Sequence, residues 1–353
     1  MKARIVIGAN YGDEGKGTVV ANYTKNSNNV LNILTNGGAQ RGHSILTKDG
    51  NITFQHFGAG TYHGADNYYS RYFILNPMQF VKEYKSLIVK PKNIYRDLSC
   101  RWSTPYDSMA NLISEEQKGT HASCCMGIWN TIKRYNEIPI LNYDDFIKNE
   151  DFQLQYLFNI KKYYEKNLII PEKWKDIWNS DILVFNFIND CYFMYNKTIV
   201  KNLCELTYDE LIFENGQGLL LSDNGKDTYD TTPSNTGILY SLELLKELNV
   251  NDITAHYVTR PYLTRHGDGV LMNQLFRKNI SSDVNEDRTN HYNDFQGEFR
   301  YGLLDINDLH KRINENAGNI KYELEVTHCD EMDRINDFKK LFKNINIYSS
   351  PLV

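Results

Sequence analysis

Apolar positions near the start of the chain come in short runs broken by glycine-rich or polar turns. Arg4–Gly8 (RIVIG) is such a run, and Gly17–Tyr23 after it reads as a helix, giving strand, loop, helix. Further strands are predicted at Val30–Thr35, Ile52–Phe57, Tyr72–Asn76, Leu211–Glu214, Ile253–Thr259, Tyr322–Thr327 and Ile345–Tyr348. Helices are predicted at Met78–Leu87, Met109–Lys118, Gly127–Tyr135, Thr236–Leu248, Ile306–Asn316 and Arg334–Phe342. Strands that alternate with helices predict an α/β fold, with a mainly parallel central sheet flanked by helices. Leu141–Lys201 is helix-like, aromatic and rich in Lys, Asp and Asn, and reads as a helical insertion. No linker composition forces a second domain, so residues 1–353 are expected to form one domain.

Composition narrows the functional classes. Of the 353 residues, 41% are hydrophobic, enough for one large core or two modest ones. A net charge of -5 offers no basic surface for nucleic acid. No run reaches the roughly eighteen apolar residues of a membrane helix, so no membrane association is expected. The start, MKARIVIGAN, reads as a first strand rather than a signal peptide. Cys100, Cys124, Cys125, Cys191, Cys204 and Cys329 match no zinc or redox spacing. A chain this long builds a core without staples, so they are expected as reduced thiols in a cytoplasmic setting.

The loop Gly8-Ala-Asn-Tyr-Gly12-Asp13-Glu14-Gly15-Lys16-Gly17-Thr18 lies between the first strand and the first helix. Glycines let backbone approach phosphate oxygens, and the helix start offers unpaired N–H groups. Lys16 can neutralise phosphate charge. The bland alternative is a tight turn with a solvated lysine. The spacing departs from a standard P-loop because Gly17 follows Lys16, which disfavours a GTPase switch. Carboxylates beside phosphates repel unless they hold Mg²⁺ or take a proton from substrate. Asp13 and Glu14 are therefore candidates for a general base or metal ligand, with a helix N-cap by Asp13 as the bland alternative.

Tyr11-Gly-Asp-Glu-Gly-Lys-Gly17 resembles the N-terminal signature of the adenylosuccinate synthetases. Further blocks follow in that family's order. Gly37-Gly-Ala-Gln-Arg-Gly-His43-Ser44 is similar to its Gly-Gly-x-Asn-Ala-Gly-His-Thr, and Phe213-Glu-Asn-Gly-Gln217-Gly218 to its Phe-Glu-Gly-Ala-Gln-Gly. Thr228-Tyr229 with Thr231-Thr232-Pro-Ser234-Asn235-Thr236 resembles Gly-Thr-Tyr-Pro-Tyr-Val-Thr-Ser. Thr264-Arg265-His-Gly267-Asp-Gly269, Arg300-Tyr-Gly302-Leu-Leu-Asp305 and Thr327-His-Cys-Asp330 resemble Thr-Arg-Val-Gly-Ala-Gly, Arg-x-Gly-Trp-Leu-Asp and Thr-Lys-Leu-Asp.

The resemblance implies a ligase that joins L-aspartate to C6 of a 6-oxopurine mononucleotide, with GTP or ATP phosphorylating O6. It implies that Asp13 removes the N1 proton and that His43 stabilises the transferring phosphoryl group. Mg²⁺ is implied on Asp13 and the Gly42 carbonyl. Nucleotide contacts are implied for Gly12, Glu14, Gly15, Lys16, Gly17, Gln40, Gln217, Thr232 and Asp330, and for Ser350 beside the donor base. His121-Ala-Ser123-Cys-Cys-Met-Gly127-Ile128 is loosely similar to Thr-Thr-Gly-Arg-Gly-Ile-Gly, so Ser123 or Cys124 could offer a hydroxyl or thiol to a nucleotide phosphate. Arg134 is implied to reach a partner subunit's nucleotide in a homodimer, and Arg265 and Arg300 to bind aspartate.

Three departures bear on substrate choice. The family's arginine run is reduced to Asn293-Asp-Phe-Gln-Gly297-Glu-Phe-Arg300. The lysine of Thr-Lys-Leu-Asp is His328, and the second motif has Gln40 with Arg41 beside it. These features suit a viral branch that uses dGMP, often with an adenine donor. Retained Asp13 leans toward IMP with GTP. A catalytically silent nucleotide-binding relative is the third reading.

Overall fold

The computed structural model describes residues 1–349 apart from 26, 28, 49, 120–122, 139–140, 224–230, 285, 288–289, 291 and 293. The motif positions His121, Thr228, Tyr229, Asn293, Ser350 and Pro351 lie outside the described residues.

The strands of the first half are β1 (Lys2–Gly8), β2 (Val30–Leu34), β3 (His43–Thr47), β4 (Gly50–Phe54), β5 (Asp66–Tyr69), β6 (Ile74–Leu75), β7 (Ile94–Arg96) and β8 (Arg101–Trp102). Those of the second half are β9 (Ile199–Val200), β10 (Glu210–Gly218), β11 (Ile253–Thr259), β12 (Leu263–Arg265), β13 (Gln274–Leu275), β14 (Arg300–Gly302), β15 (Tyr322–Val326) and β16 (Ile345–Ile347). Nine of them form one sheet in the order β16-β15-β11-β1-β10-β2-β5-β7-β9. Every pairing in it is parallel. The fold is thus the α/β arrangement that the sequence predicts.

From β1 the chain passes over β10's place to β2 and winds outward to β9. It then returns to β10, crosses to β11 on the other side of β1, and winds outward to β16. The winding direction reverses at β1 and β10. In open parallel sheets, ligands bind beyond the carboxyl ends of the strands at such a point.

Alternate residues of β1 face opposite layers. Val6 joins Val19, Leu34, Ile212, Phe80 and Trp102 on one side. Ile5 and Ile7 join Phe213, Leu309, Ile313 and Phe338 on the other. Burial on both faces explains why the central strands read as unbroken apolar runs.

Four helices, Tyr143–Lys148, Glu150–Glu165, Glu172–Trp178 and Asp181–Lys197, fill the predicted insertion. They close over the first layer through Phe146, Leu157, Trp178 and Phe187. The predicted strand at Tyr72–Asn76 shrinks to Ile74–Leu75, paired with Arg101–Trp102. The predicted strand at Ile52–Phe57 begins earlier, at Gly50, and forms a hairpin with β3.

Candidate active site

The loop after β1 is held from several directions. Gly12 (φ 100°), Asp13 (φ 60°) and Gly15 (φ 90°) all adopt left-handed backbone. That conformation strains a non-glycine residue, so neighbours must hold Asp13 in place. Glu14 supplies much of that hold. Its Oε1 accepts the N–H groups of Asn10 (3.0 Å) and Gly12 (2.8 Å), and its Oε2 accepts from Lys16 Nζ (3.3 Å). Arg260 Nε donates to the Asp13 carbonyl (2.8 Å), and Thr327 Oγ1 donates to the Glu14 carbonyl (2.6 Å).

Two expectations change here. The Glu14 carboxylate is committed inside the loop, which takes it out of the choice of base or metal ligand. The N-cap of the helix Lys16–Thr24 is Gly15, with no side-chain cap, so Asp13 does not cap it.

Gly17 opens that helix against β3. A Cβ on Gly17 would lie 2.7 Å from the Ser44 carbonyl oxygen, next to His43. Gly17→Ala is therefore expected to displace His43 and lower kcat/KM by about 10- to 100-fold, as misplacement of a catalytic group does. Steady-state kinetics with a matched thermal melt checks this.

His43 begins β3, and its Nδ1 contacts Glu214 Oε1. Arg41 Nη2 lies 3.0 Å from the same oxygen, and the Ala59 N–H donates to Glu214 Oε2 at 3.0 Å. Burial raises the Glu214 carboxyl, but Arg41 and then His43 outweigh it and hold it at about 2. Burial, then Arg41, lowers the His43 imidazole to about 4, against the pull of Glu214. At neutral pH the buried ion pair is therefore Arg41–Glu214, with a neutral His43 donating Nδ1–H to the carboxylate. The stability linked to Glu214 is full above its usual 4.5 and declines as pH falls toward about 2. Urea titrations at pH 6 and pH 3 are expected to show an acid loss that is smaller in Glu214→Gln. An equal loss in the variant contradicts this linkage.

Three linked cavities lie along this edge of the sheet. The first is lined by Asp13, Glu14, Gly15, Lys16, Gly17, Gly42, His43, Arg260, His328 and Asp330. The central one, about 430 Å³, adds Gly12, Gln40, Gln217 and His266 to Asp13, Lys16, Gly42 and His43. The third, about 390 Å³, is lined by Gln40, Ser123, Cys124, Gln217, Thr232, Arg265, His266, Lys118 and Lys133. The second and third are as large as small-molecule sites usually are.

Asp13 and His43 sit where the first and central cavities meet. Gln40 and Gln217 sit where the central and third meet. Gln217, at φ 58°, has a buried Oε1 with no partner, as have both amide atoms of Gln40. Buried amides without protein partners point to a ligand that supplies them. Burial pushes the Asp13 carboxyl above the usual carboxylate range, opposed by His266 and Lys16. Near neutral pH that makes it a stronger base than a solvated carboxylate.

Two candidate residues lie elsewhere. Arg134 is 1% exposed. It forks onto Asp107 (2.8 and 3.0 Å) and donates to the Trp102 carbonyl (2.9 Å). A guanidinium this deep and this occupied does not reach a neighbouring subunit. Arg300 donates to the carbonyls of Gly267 and Gly269 and to Gln274 Oε1, and it lines none of the three cavities. Its observed role is to clamp the loop 266–269.

Sequence reasoning gave no role to Glu214, Arg260, His266, Lys118 or Lys133. Glu214 had a readable signal. A carboxylate inside the apolar run Leu211–Glu214 must be buried with a cation.

The chain is similar to known proteins over most of its length. A sequence model described as adenylosuccinate synthetase matches residues 5–341. The chain is 26% identical to the adenylosuccinate synthetase of Buchnera aphidicola subsp. Acyrthosiphon pisum (strain APS), over 97% of this chain and 80% of that protein. It is 24% identical to that of Borrelia duttonii (strain Ly), over 95% and 78%. Fully ligated Plasmodium falciparum adenylosuccinate synthetase superposes with a TM-score of 0.68 at 19% identity, over 95% of this chain and 78% of that one. The succinoaminodeoxyadenylate synthetase of cyanophage S-2L, bound to dGMP and to dATP as energy donor, gives 0.66 at 11% identity, over 99% and 91%.

Proposed function

We propose, from the premise that this chain belongs to the adenylosuccinate synthetase family and is an NTP-dependent C–N ligase, that it converts IMP, L-aspartate and GTP to adenylosuccinate, GDP and phosphate. One observation carries the reading. Asp13 and His43 share the wall between the loop cavity and the cavity that holds Gln217.

The chemistry follows from what a 6-oxopurine lacks. Its O6 is a poor leaving group until phosphorylated. In this reading Asp13 takes the N1 proton, and charge moves onto O6. O6 attacks the γ-phosphorus, and the bond from that phosphorus to the β-phosphate oxygen breaks. His43, with Nδ1–H on Glu214, has Nε2 for the phosphoryl group. The arriving negative charge favours a proton on Nε2, and Glu214 supports the imidazolium that results. The amine of aspartate then adds at C6, loses its proton, and phosphate departs with O6.

The residues present fit Mg²⁺. Among the described residues no side chain hydrogen-bonds the Asp13 carboxylate, and the exposed Gly42 lies on the same wall. Asp13 and the Gly42 carbonyl would hold the ion, which would neutralise charge on the phosphates.

A second reading, dGMP with ATP, draws support from the S-2L enzyme, whose overlap takes in nearly the full length of both chains. His328 on the first cavity, in place of the family's lysine, also favours it. Incubation of the purified protein with aspartate and either IMP/GTP or dGMP/ATP, read by product mass, separates them. Succinylated product from IMP is expected. Product from dGMP alone establishes the second reading, and no product from either removes both. A homodimer stands as a further proposal, tested by sedimentation.

A further inference from the structure

His266 follows Arg265 on the loop after β12 and lines both the central and the third cavity. Its Nε2 is buried and has no partner. The ring is fixed edge-on against Phe299, with centroids 4.9 Å apart. The loop is fixed as well. Gly267 N–H donates to the Gln296 carbonyl (3.0 Å), and Arg300 clamps the Gly267 and Gly269 carbonyls. A rigidly held ring nitrogen with no protein partner points to a ligand contact, because an unpaired buried polar atom is costly to keep.

The ligand class follows from charge and position. L-aspartate brings two carboxylates, and each needs a cationic or strong hydrogen-bond donor. Arg265 lines the third cavity, with its guanidinium 5.0 Å from the Tyr11 ring centre. Arg300 stands opposite it in the β12–β14 register but directs its donors to the loop. Lys118 and Lys133 line the third cavity but not the central one. The second donor must lie near Asp13, because the attacked C6 adjoins the N1 that Asp13 serves. His266 meets this condition, since it lines the central cavity together with Asp13.

We infer that His266 is a specificity-determining residue whose Nε2–H binds a carboxylate of L-aspartate beside Arg265. This rests on the ligase reading above. It assigns to this chain's own histidine the anchor that Arg300, bonded to the Gly267 and Gly269 carbonyls, does not provide.

The test compares His266→Leu and His266→Gln with the wild type in steady-state kinetics. Calorimetric titration of L-aspartate into the enzyme–IMP complex gives a second readout. His266→Leu is expected to raise the KM for aspartate by about 10- to 100-fold, the cost of a lost charge-assisted hydrogen bond. Its KM values for both nucleotides and its kcat at saturating aspartate should stay within about threefold, a split that a merely structural role would not give. His266→Gln, which keeps shape and a neutral donor, is expected to fall between, in kinetics and calorimetry alike. An unchanged aspartate KM in either active variant overturns the inference, as does a rise confined to the mononucleotide KM. A wild-type enzyme with no aspartate-dependent phosphate release instead overturns the ligase reading, and the inference with it.

Discussion

Asp13→Asn is expected to lower kcat by about 10²- to 10⁴-fold, the range lost with a general base, while the KM for the mononucleotide changes by less than about threefold. The variant is informative because it leaves the loop intact. Asparagine tolerates left-handed backbone as aspartate does, so the φ of 60° carries no new strain. The bonds from Arg260 to the Asp13 carbonyl and from Thr327 to the Glu14 carbonyl use main chain, which the substitution does not alter. The basic oxygen is lost, and with it the charge that would help hold Mg²⁺. Full activity in Asp13→Asn, measured as phosphate release with aspartate present, removes the assignment of the base.

His43→Ala is the second large effect, with kcat expected to fall by about 10²- to 10³-fold, as when an oxyanion donor is removed. The Arg41–Glu214 pair remains across 3.0 Å in this variant, so its melting temperature should move little. Glu214→Ala gives the contrasting pattern. It strands the fully buried Arg41 without a counter-charge, a loss of about 3–5 kcal/mol for a broken buried pair. Activity loss without stability loss at His43, and both together at Glu214, is the signature of a phosphoryl-binding imidazole seated on a structural ion pair. Equal destabilisation in both variants contradicts it.

How far the sequence disclosed this molecule depended on whether burial was apolar. β1, β2, β10, β11 and β15 were readable because their packing is made by Ile, Leu, Val and Phe. β5 and β7 escaped notice because polar side chains sit in buried strands and bond locally. Asp66 accepts the Asn93 N–H at 2.8 Å, Asn67 accepts the Gly58 N–H at 2.8 Å, and Arg96 pairs with Asp144 at 2.6 Å.

The candidate site divides in the same way. Asp13, Lys16, His43 and Gln217 were found because glycines mark the turns that carry them, and the structure brings all four to the central cavity. Arg134 and Arg300 were chosen for charge within a motif. Charge does not reveal whether a guanidinium points to a cavity or is consumed by Asp107 or by loop carbonyls. Arg260 had no signal, and the motif that contains Thr327 did not disclose its role, because both act on backbone atoms of a loop more than 240 residues away (|i−j| of 247 and 313).

The central claim is that the keto oxygen of the purine becomes bonded to phosphorus before aspartate replaces it. A mononucleotide labelled with ¹⁸O at C6, turned over by the wild-type enzyme with aspartate and nucleoside triphosphate, reads this out directly. The released inorganic phosphate should carry the label, one atom per turnover. Unlabelled phosphate, with the ¹⁸O recovered in water, would contradict O6 phosphorylation and the base role of Asp13 with it.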